Sequence, residues 1–220
     1  MNRKKIQITF ITSFFFFLVM CVPPQGGTSN SSEKDKAKLD STRSIRCPQL
    51  MSTASENYTK GDYKKAVNRY KQAVKYDCAN WNKSYAEQLY QYFAISYERL
   101  GHFDSAETVC LSGLELMPND KNLRIRLSYA YKRQGKIDQH IMELERLVEI
   151  NPNDRKGMMD LSKIYEENSR YDDQIFILQK VLELYPNDND AQSALANAFE
   201  NTGRDPIEIF KKRYEDNPNN

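Results

Sequence analysis

Histidine, tryptophan, glycine and proline are all scarce in this chain. Two histidines and four cysteines among 220 residues leave few of the side chains from which catalytic or metal centres are built. There is no HExxH zinc motif, no G-x-S-x-G turn and no glycine-rich phosphate loop following a strand. No Cys/His spacing of the zinc-site kind occurs either. His102 follows a glycine and reads as exposed, whereas His140 lies on a helix face and reads as packed. The paired acids Glu166-Glu167 and Asp172-Asp173 read as solvated helix or turn charges. No catalysis, cofactor, metal or small-molecule substrate is therefore expected. A charge excess is missing too: the net charge is +2, so no global field draws the chain to nucleic acid. Eight glycines and eight prolines fit long helices joined by few loops.

Acidic residues are absent before Glu33. What stands there instead is a basic stretch, Arg3-Lys4-Lys5, followed by an apolar run from Ile6 to Val22. That is the pattern of a secretory signal or a signal anchor, and residues 1–22 are expected to serve as one. Positive charge stays cytoplasmic, so everything after Val22 is expected on the far side of a membrane. Cys21 follows Leu18-Val19-Met20, which resembles the lipobox of bacterial lipoproteins. There the cysteine is lipidated and becomes the new N-terminus. The family pattern has a small residue where Met20 stands. The resemblance implies lipidation of Cys21 and a membrane-anchored protein on the periplasmic side of a bacterial envelope. An uncleaved anchor and a cleaved, secreted form are the other readings. Residues 23–45 are small, polar or of mixed charge, too poor in apolar groups to offset ordering entropy, and are expected to be a flexible linker.

The triplets Pro118-Asn119-Asp120, Pro152-Asn153-Asp154 and Pro186-Asn187-Asp188 recur in steps of 34 residues. A fixed period of this length marks one supersecondary unit stacked on copies of itself. Gly101 and Gly135 each lie 17 residues before a triplet proline, and Ser169 holds the matching place in the next unit. Glycine after a periodic apolar stretch stops a helix, and proline after the second stretch stops that one too. Each unit thus reads as helix, tight turn, helix and proline-bounded loop, with Asn or Asp capping the next helix. Leu123, Leu127, Ala130 and Tyr131 share one face, as do Met158, Leu161, Ile164 and Tyr165. Midway along each first helix stands a small residue: Ala54, Ala94, Ser128, Ser162 or Ala196.

These residues resemble the tetratricopeptide repeat (TPR) family. The second unit carries its pattern as Phe93, Ala94, Tyr97, Gly101, Phe103, Ala106 and Pro118. The first carries Ala54, Gly61, Tyr63, Ala66, Tyr70 and Ala73. The third and fourth keep Tyr131 and Tyr165 but hold His140 and Gln174 where alanine is usual. The fifth keeps Leu195, Ala196, Phe199 and Gly203. The resemblance implies an all-α, right-handed superhelical α-solenoid of about five helix-turn-helix units, spanning residues 46–220. The first unit is offset from the second by 40 residues rather than 34, the excess falling around Trp81 to Ala86. A terminal helix over 207–215 is expected to cap the array, started by Asp205-Pro206. The triplet itself gives way to Asn217-Pro218-Asn219.

Cys47 opens the first unit and Cys78 closes it. In an antiparallel helix pair those ends lie together, so a disulfide is one reading and two unpaired thiols the other. Cys110 stands at a core position of its helix and reads as packing.

A solenoid of this kind offers its first helices as a binding surface. The family's groove positions correspond here to Met51, Ser55 and Tyr58, then Gln91, Ile95 and Glu98. Ile125, Tyr129 and Lys132 follow, and then Met159, Lys163 and Glu166. Thioethers, aromatics and charges in this mixture suit an extended or helical peptide of a partner protein. The Lys/Asn/Arg carboxylate clamp of the chaperone-binding members is not matched, since Met51, Ser55 and Tyr92 stand at its early places. The expected role is a scaffold or adaptor in the cell envelope. The alternative is an accessory or regulatory subunit of an envelope enzyme or of an outer-membrane or pilus assembly machine. A eukaryotic secreted protein with glycans at the sequons of Asn30, Asn57 and Asn82 fits less well, because Asn57 and Asn82 fall in or beside predicted helices.

Overall fold

The computed structural model describes residues 29–205 and 207, with side chains from Glu33 onward. The apolar run 6–22, Cys21, most of the expected terminal helix and the Asn217-Pro218-Asn219 triplet lie outside the described residues. The chain divides into two compact units, residues 1–38 and 39–220. In the first, residues 29–38 are helical, and the side chains of Glu33 to Lys38 are exposed.

Ten helices and no strand occur among the described residues: α1 (Ser29–Thr59), α2 (Tyr63–Lys75), α3 (Cys78–Trp81), α4 (Lys83–Arg99), α5 (Phe103–Leu116), α6 (Lys121–Arg133), α7 (Ile137–Ile150), α8 (Arg155–Glu167), α9 (Tyr171–Leu184) and α10 (Asn189–Asn201). The pairs α1–α2, α4–α5, α6–α7 and α8–α9, with α10 beginning the next, make a solenoid. The helices from α5 onward repeat their limits residue for residue: α5, α7 and α9 start at 103, 137 and 171, and α6, α8 and α10 start at 121, 155 and 189.

That regularity comes from backbone chemistry repeated at each joint. Asp120, Asp154 and Asp188 cap α6, α8 and α10, accepting from the N–H groups of Leu123, Gly157 and Ala191 at 2.9, 3.0 and 3.1 Å. Each first helix ends on a residue with positive φ, at Gly101, Gly135, Ser169 and Gly203. The carbonyls of Tyr97, Tyr131, Tyr165 and Phe199 then accept from the N–H groups of His102, Lys136, Arg170 and Arg204, at 2.8–3.0 Å. This is the six-to-one closure that satisfies orphan carbonyls at a helix end. Ser169 adopts it with φ 57°, a conformation that a side chain disfavours.

The small positions do what their size allows. Ala54, Ala94, Ser128 and Ser162 are buried, while Ala196 is half-buried. Close approach is most severe at Gly113 of α5, where an added Cβ would lie 2.7 Å from Leu123 Cδ1 and 2.8 Å from Tyr90 Cβ. The buried apolar residues form two contacting sets. One runs from Cys47 to Tyr131, the other from Ile141 to Phe199. Between them, across α6 and α7, lie polar contacts. Ser128 Oγ and His140 Nδ1 are 2.8 Å apart and buried, and Arg124 pairs with buried Glu143 at 2.7 Å.

The entrance differs from the regular units in two ways. The surplus residues before unit two become α3 and an extra turn at the start of α4, which has 17 residues where α6 has 13. The segment expected to be a flexible linker to residue 45 is instead helical from Ser29, continuous with α1. Low apolar content argues against a packed core, not against a helix. Lys, Ala, Glu and Leu between Glu33 and Leu39 are good helix formers, and they extend a helix already nucleated by packed residues. Arg43 ties the end of that stretch down, donating to the Tyr76 carbonyl at 3.2 Å and pairing with Asp77 at 2.5 Å. The structure joins Cys47 to Cys78, their Cα atoms 5.5 Å apart.

Replacing Ser169 by Gly relieves a left-handed side chain at some cost in chain entropy. The net gain should be about 0.5–1 kcal/mol. Urea denaturation should show a higher midpoint, and a lower one would refute the strain. The bond between Cys47 and Cys78 closes a span of 31 residues. Its loss in Cys47→Ser/Cys78→Ser should lower stability by about 3–4 kcal/mol. Non-reducing peptide mapping should recover the linked pair, and two free thiols would contradict it.

Candidate functional site

The groove positions lie on α1, α4, α6 and α8, and the repeat sorts most of them into rows. Gln91, Ile125 and Met159 are one row, each 34 residues from the next. Ile95, Tyr129 and Lys163 are a second, and Glu98, Lys132 and Glu166 a third. Within a helix these rows fall at offsets of three or four, so they share one face.

The rows are not equally open. Ile125 is 45% exposed and Tyr129 38%, high values for large apolar side chains on packed helices. Lys132, Lys163 and Glu166 are exposed, while Gln91, Ile95 and Met159 are half-buried. Met51 departs from the expectation of an open groove side chain. It is 3% exposed and belongs to the core. The longer offset between the first two units changes the packing at that joint. With Ser55 and Glu56 it forms one wall of a shallow cleft of about 520 Å³, facing Tyr85 and Gln88 of α4. Tyr58 is half-buried, its ring edge-on to Tyr92 at 4.8 Å and to Tyr63 at 5.8 Å. Burial pushes its phenol pKa above the ordinary value.

Two features escaped the sequence reading. The first is an aromatic-backed cation. The guanidinium of Arg133 lies 4.6 Å from the Phe103 ring centroid and 5.8 Å from that of Tyr129. It donates to the Tyr129 hydroxyl at 2.9 Å. Cation–π contact on one side and a hydrogen bond on the other hold it in place. The second is a half-buried pair between successive first helices. Glu98 pairs with Arg126 at 3.3 Å, with only 6% of the Glu98 side chain exposed. Its Oε1 has no hydrogen-bond partner among the described residues. Burial raises the Glu98 pKa, and Arg126 opposes that shift without cancelling it. Only register hints at these contacts: Arg99 and Arg133 occupy the same repeat position.

The remaining candidates sit apart from this face. His102 is exposed and caps no helix with its side chain. His140 is buried against Ser128, with its Nε2 unpartnered among the described residues. Burial, and then the Lys132 ammonium, hold its pKa below the ordinary imidazole value of 6.5. Cys110 is fully buried, and desolvation pushes its thiol pKa far up, the opposite of what a nucleophile needs. Among the described residues no group of three His, Cys, Asp or Glu side chains is placed to hold a metal ion, and no helix is long and apolar enough to cross a membrane.

Residues 122–154 and 156–188 match the tetratricopeptide repeat family, and these spans cover the pairs α6–α7 and α8–α9. No curated protein matches the sequence. Among solved structures the chain is similar to a MamA protein at 22% identity, over 77% of this chain and 91% of that one, with a TM-score of 0.56. MamA AMB-1 gives 22% identity, coverage of 80% and 94%, and a TM-score of 0.54. Another MamA crystal structure gives 21%, 74% and 92%, and 0.53. At such identities the likeness is one of fold: an all-helical solenoid built of tetratricopeptide-type pairs.

A neutral buried histidine makes stability depend on pH. The His140 pKa is lower in the folded chain than in the unfolded one. The unfolded state therefore takes up more protons as pH falls through the ordinary imidazole range, and stability drops. Urea melts should show a larger loss between about pH 7.5 and 5.5 in wild type than in His140→Ala. Equal losses in the two proteins would remove His140 as the cause.

Proposed function

We propose that this chain is a non-catalytic scaffold that holds a peptide or helix of a partner protein along the exposed face of α4, α6 and α8. The observation that carries this reading is the open pair Ile125 and Tyr129 on α6, at 45% and 38% exposure, beside the preorganised Arg133. A solenoid normally spends large apolar groups on stacking its units. Two left open in adjacent rows, with an aromatic-backed guanidinium between helices, form a compact anchor of the kind that dominates protein interfaces. Lys132 and Lys163 add exposed charge for orientation. The tetratricopeptide repeats and the fold shared with MamA structures support a binding role over a catalytic one. The scaffold works in the bacterial cell envelope, on the far side of a membrane from the basic N-terminus, with residues 1–22 as signal or anchor and Cys21 as a point of lipid attachment. That part rests on the sequence pattern alone.

Photocrosslinking probes placed at Tyr129 and, as a control, at the exposed Phe176 of α9 should distinguish the faces in envelope extracts. The expected outcome is one protein partner captured through Tyr129 and not through Phe176. Tyr129→Ala should weaken that partner's binding by about 2 kcal/mol, a hot-spot loss. Capture through Phe176 alone would defeat the proposal.

A further inference from the structure

The second helices of the pairs carry charge very unevenly. Helix α2 holds Lys64, Lys65, Arg69, Lys71 and Lys75 and not one acid, for a net of +5. Helix α5 has three acids and no base, giving −3. Helix α7 has four acids and one base, also −3, and α9 has three acids and one base, giving −2. Cations from elsewhere meet several of these acids: Lys136 pairs with Glu107, Arg124 with buried Glu143, Arg170 with Glu145 and Asp173, and Arg204 with Asp172. The row is therefore strongly cationic at its first member and acidic, though partly neutralised, at the other three.

The cations of α2 are available. Ala66, Val67, Tyr70 and Ala73 take the buried side of the helix, and all five basic residues are exposed. Lys64, Lys71 and Lys75 fall on one stripe at i, i+7 and i+11. Among the described residues the only acid paired with the helix is its own N-cap residue Asp62, which holds Lys65 at 2.9 Å. Lys71 lies 5.8 Å from the Tyr97 ring centroid, and Arg69 donates to Gln72. No carboxylate from another helix neutralises this face among the described residues. Like charges gathered on one helix destabilise it, so such a face is maintained against a local cost.

The chemistry it fits is a flat, diffuse array of anions. Four of the five cations are lysines, point charges rather than planar forks, and no exposed aromatic ring on α2 is placed to stack on a base. Thirteen residues make a contact about 20 Å long. A polyanion running along the row would find no comparable cationic face on α5, α7 or α9, whereas a planar surface can touch α2 and leave the others in solvent. We propose that α2 is an electrostatic docking face for an anionic lipid bilayer, which seats the first helix pair against the membrane and turns the acidic helices away. This inference rests on the charge of these helices and not on the groove or the N-terminal segment.

The test uses the full chain with vesicles of phosphatidylcholine alone and with vesicles containing about 30% phosphatidylglycerol, at low and high salt. Partition into neutral vesicles measures the shared contribution of the N-terminal segment. Wild type should gain about tenfold or more on the anionic vesicles, and the gain should vanish in high salt. Lys64→Glu/Arg69→Glu/Lys75→Glu, which takes α2 from +5 to −1, should lose the gain and keep its neutral partition. Should that variant lose its helical circular dichroism, Lys64→Gln/Arg69→Gln/Lys75→Gln carries the comparison, with an intermediate gain expected. Equal gains in wild type and variants would overturn the proposal, assigning the effect to Arg3, Lys4 and Lys5. Loss through the same substitutions of self-association or of oligonucleotide binding, with no vesicle effect, would overturn it in favour of that partner. Tyr129→Ala should leave the vesicle gain unchanged, so failure of the groove reading is seen separately.

Discussion

A single helix pair in this chain has two apolar sides and only itself to cover one of them. The rest of the structure follows from that shortfall. The second side must meet the next pair, so identical units stack, and each joint must present the same geometry as the last. Asp188 shows how the joint is locked. It caps α10 through the Ala191 N–H and also takes a two-pronged hydrogen bond from Arg155 of the preceding unit. Tyr185 adds a hydroxyl bond to the Asn153 carbonyl at 2.8 Å. Local capping and stacking thus use the same residues, which is why helix limits recur without drift.

The joint between α6 and α7 departs from this economy. Ala66 and Ala106 fill the corresponding places in the first two pairs, while the third has His140. The imidazole finds Ser128, at the small position of α6, and the apolar core breaks there into two sets. Glu143 is buried beside it and is held by the half-buried Arg124, without which it would be a desolvated charge. Gln174 occupies the same place in the next pair, yet that pair stays within one apolar set. A larger residue at the alanine position is thus not enough to divide the core.

Backbone signals were the most legible part of the sequence. Proline, glycine and aspartate act on the residues next to them, so their 34-residue beat located helix ends almost to the residue. Ser169 could be placed by register, though nothing local announced a side chain in a left-handed turn. Composition was a poorer guide at the entrance, where polarity read as flexibility and the residues are helical. Contacts between helices were the least legible. Glu98 and Arg126 are 28 residues apart, and their meeting depends on side chains converging across a joint. Met51 fell on a groove position by counting and into the core by packing, because the six-residue insertion alters the first joint alone. The apolar and aromatic members on α6 were found, but the guanidinium that braces Tyr129 was not.

The link between Cys47 and Cys78 gives this solenoid a direction. An array of nearest-neighbour contacts has no preferred end from which to come apart. Here one covalent tie encloses the first pair, at the same end as the Arg43–Asp77 contact. Local openings at that end regain little freedom, whereas those at α10 are not restrained by the bond. Among the described helices fraying therefore has a polarity: α10 opens more freely than the pair that the disulfide encloses.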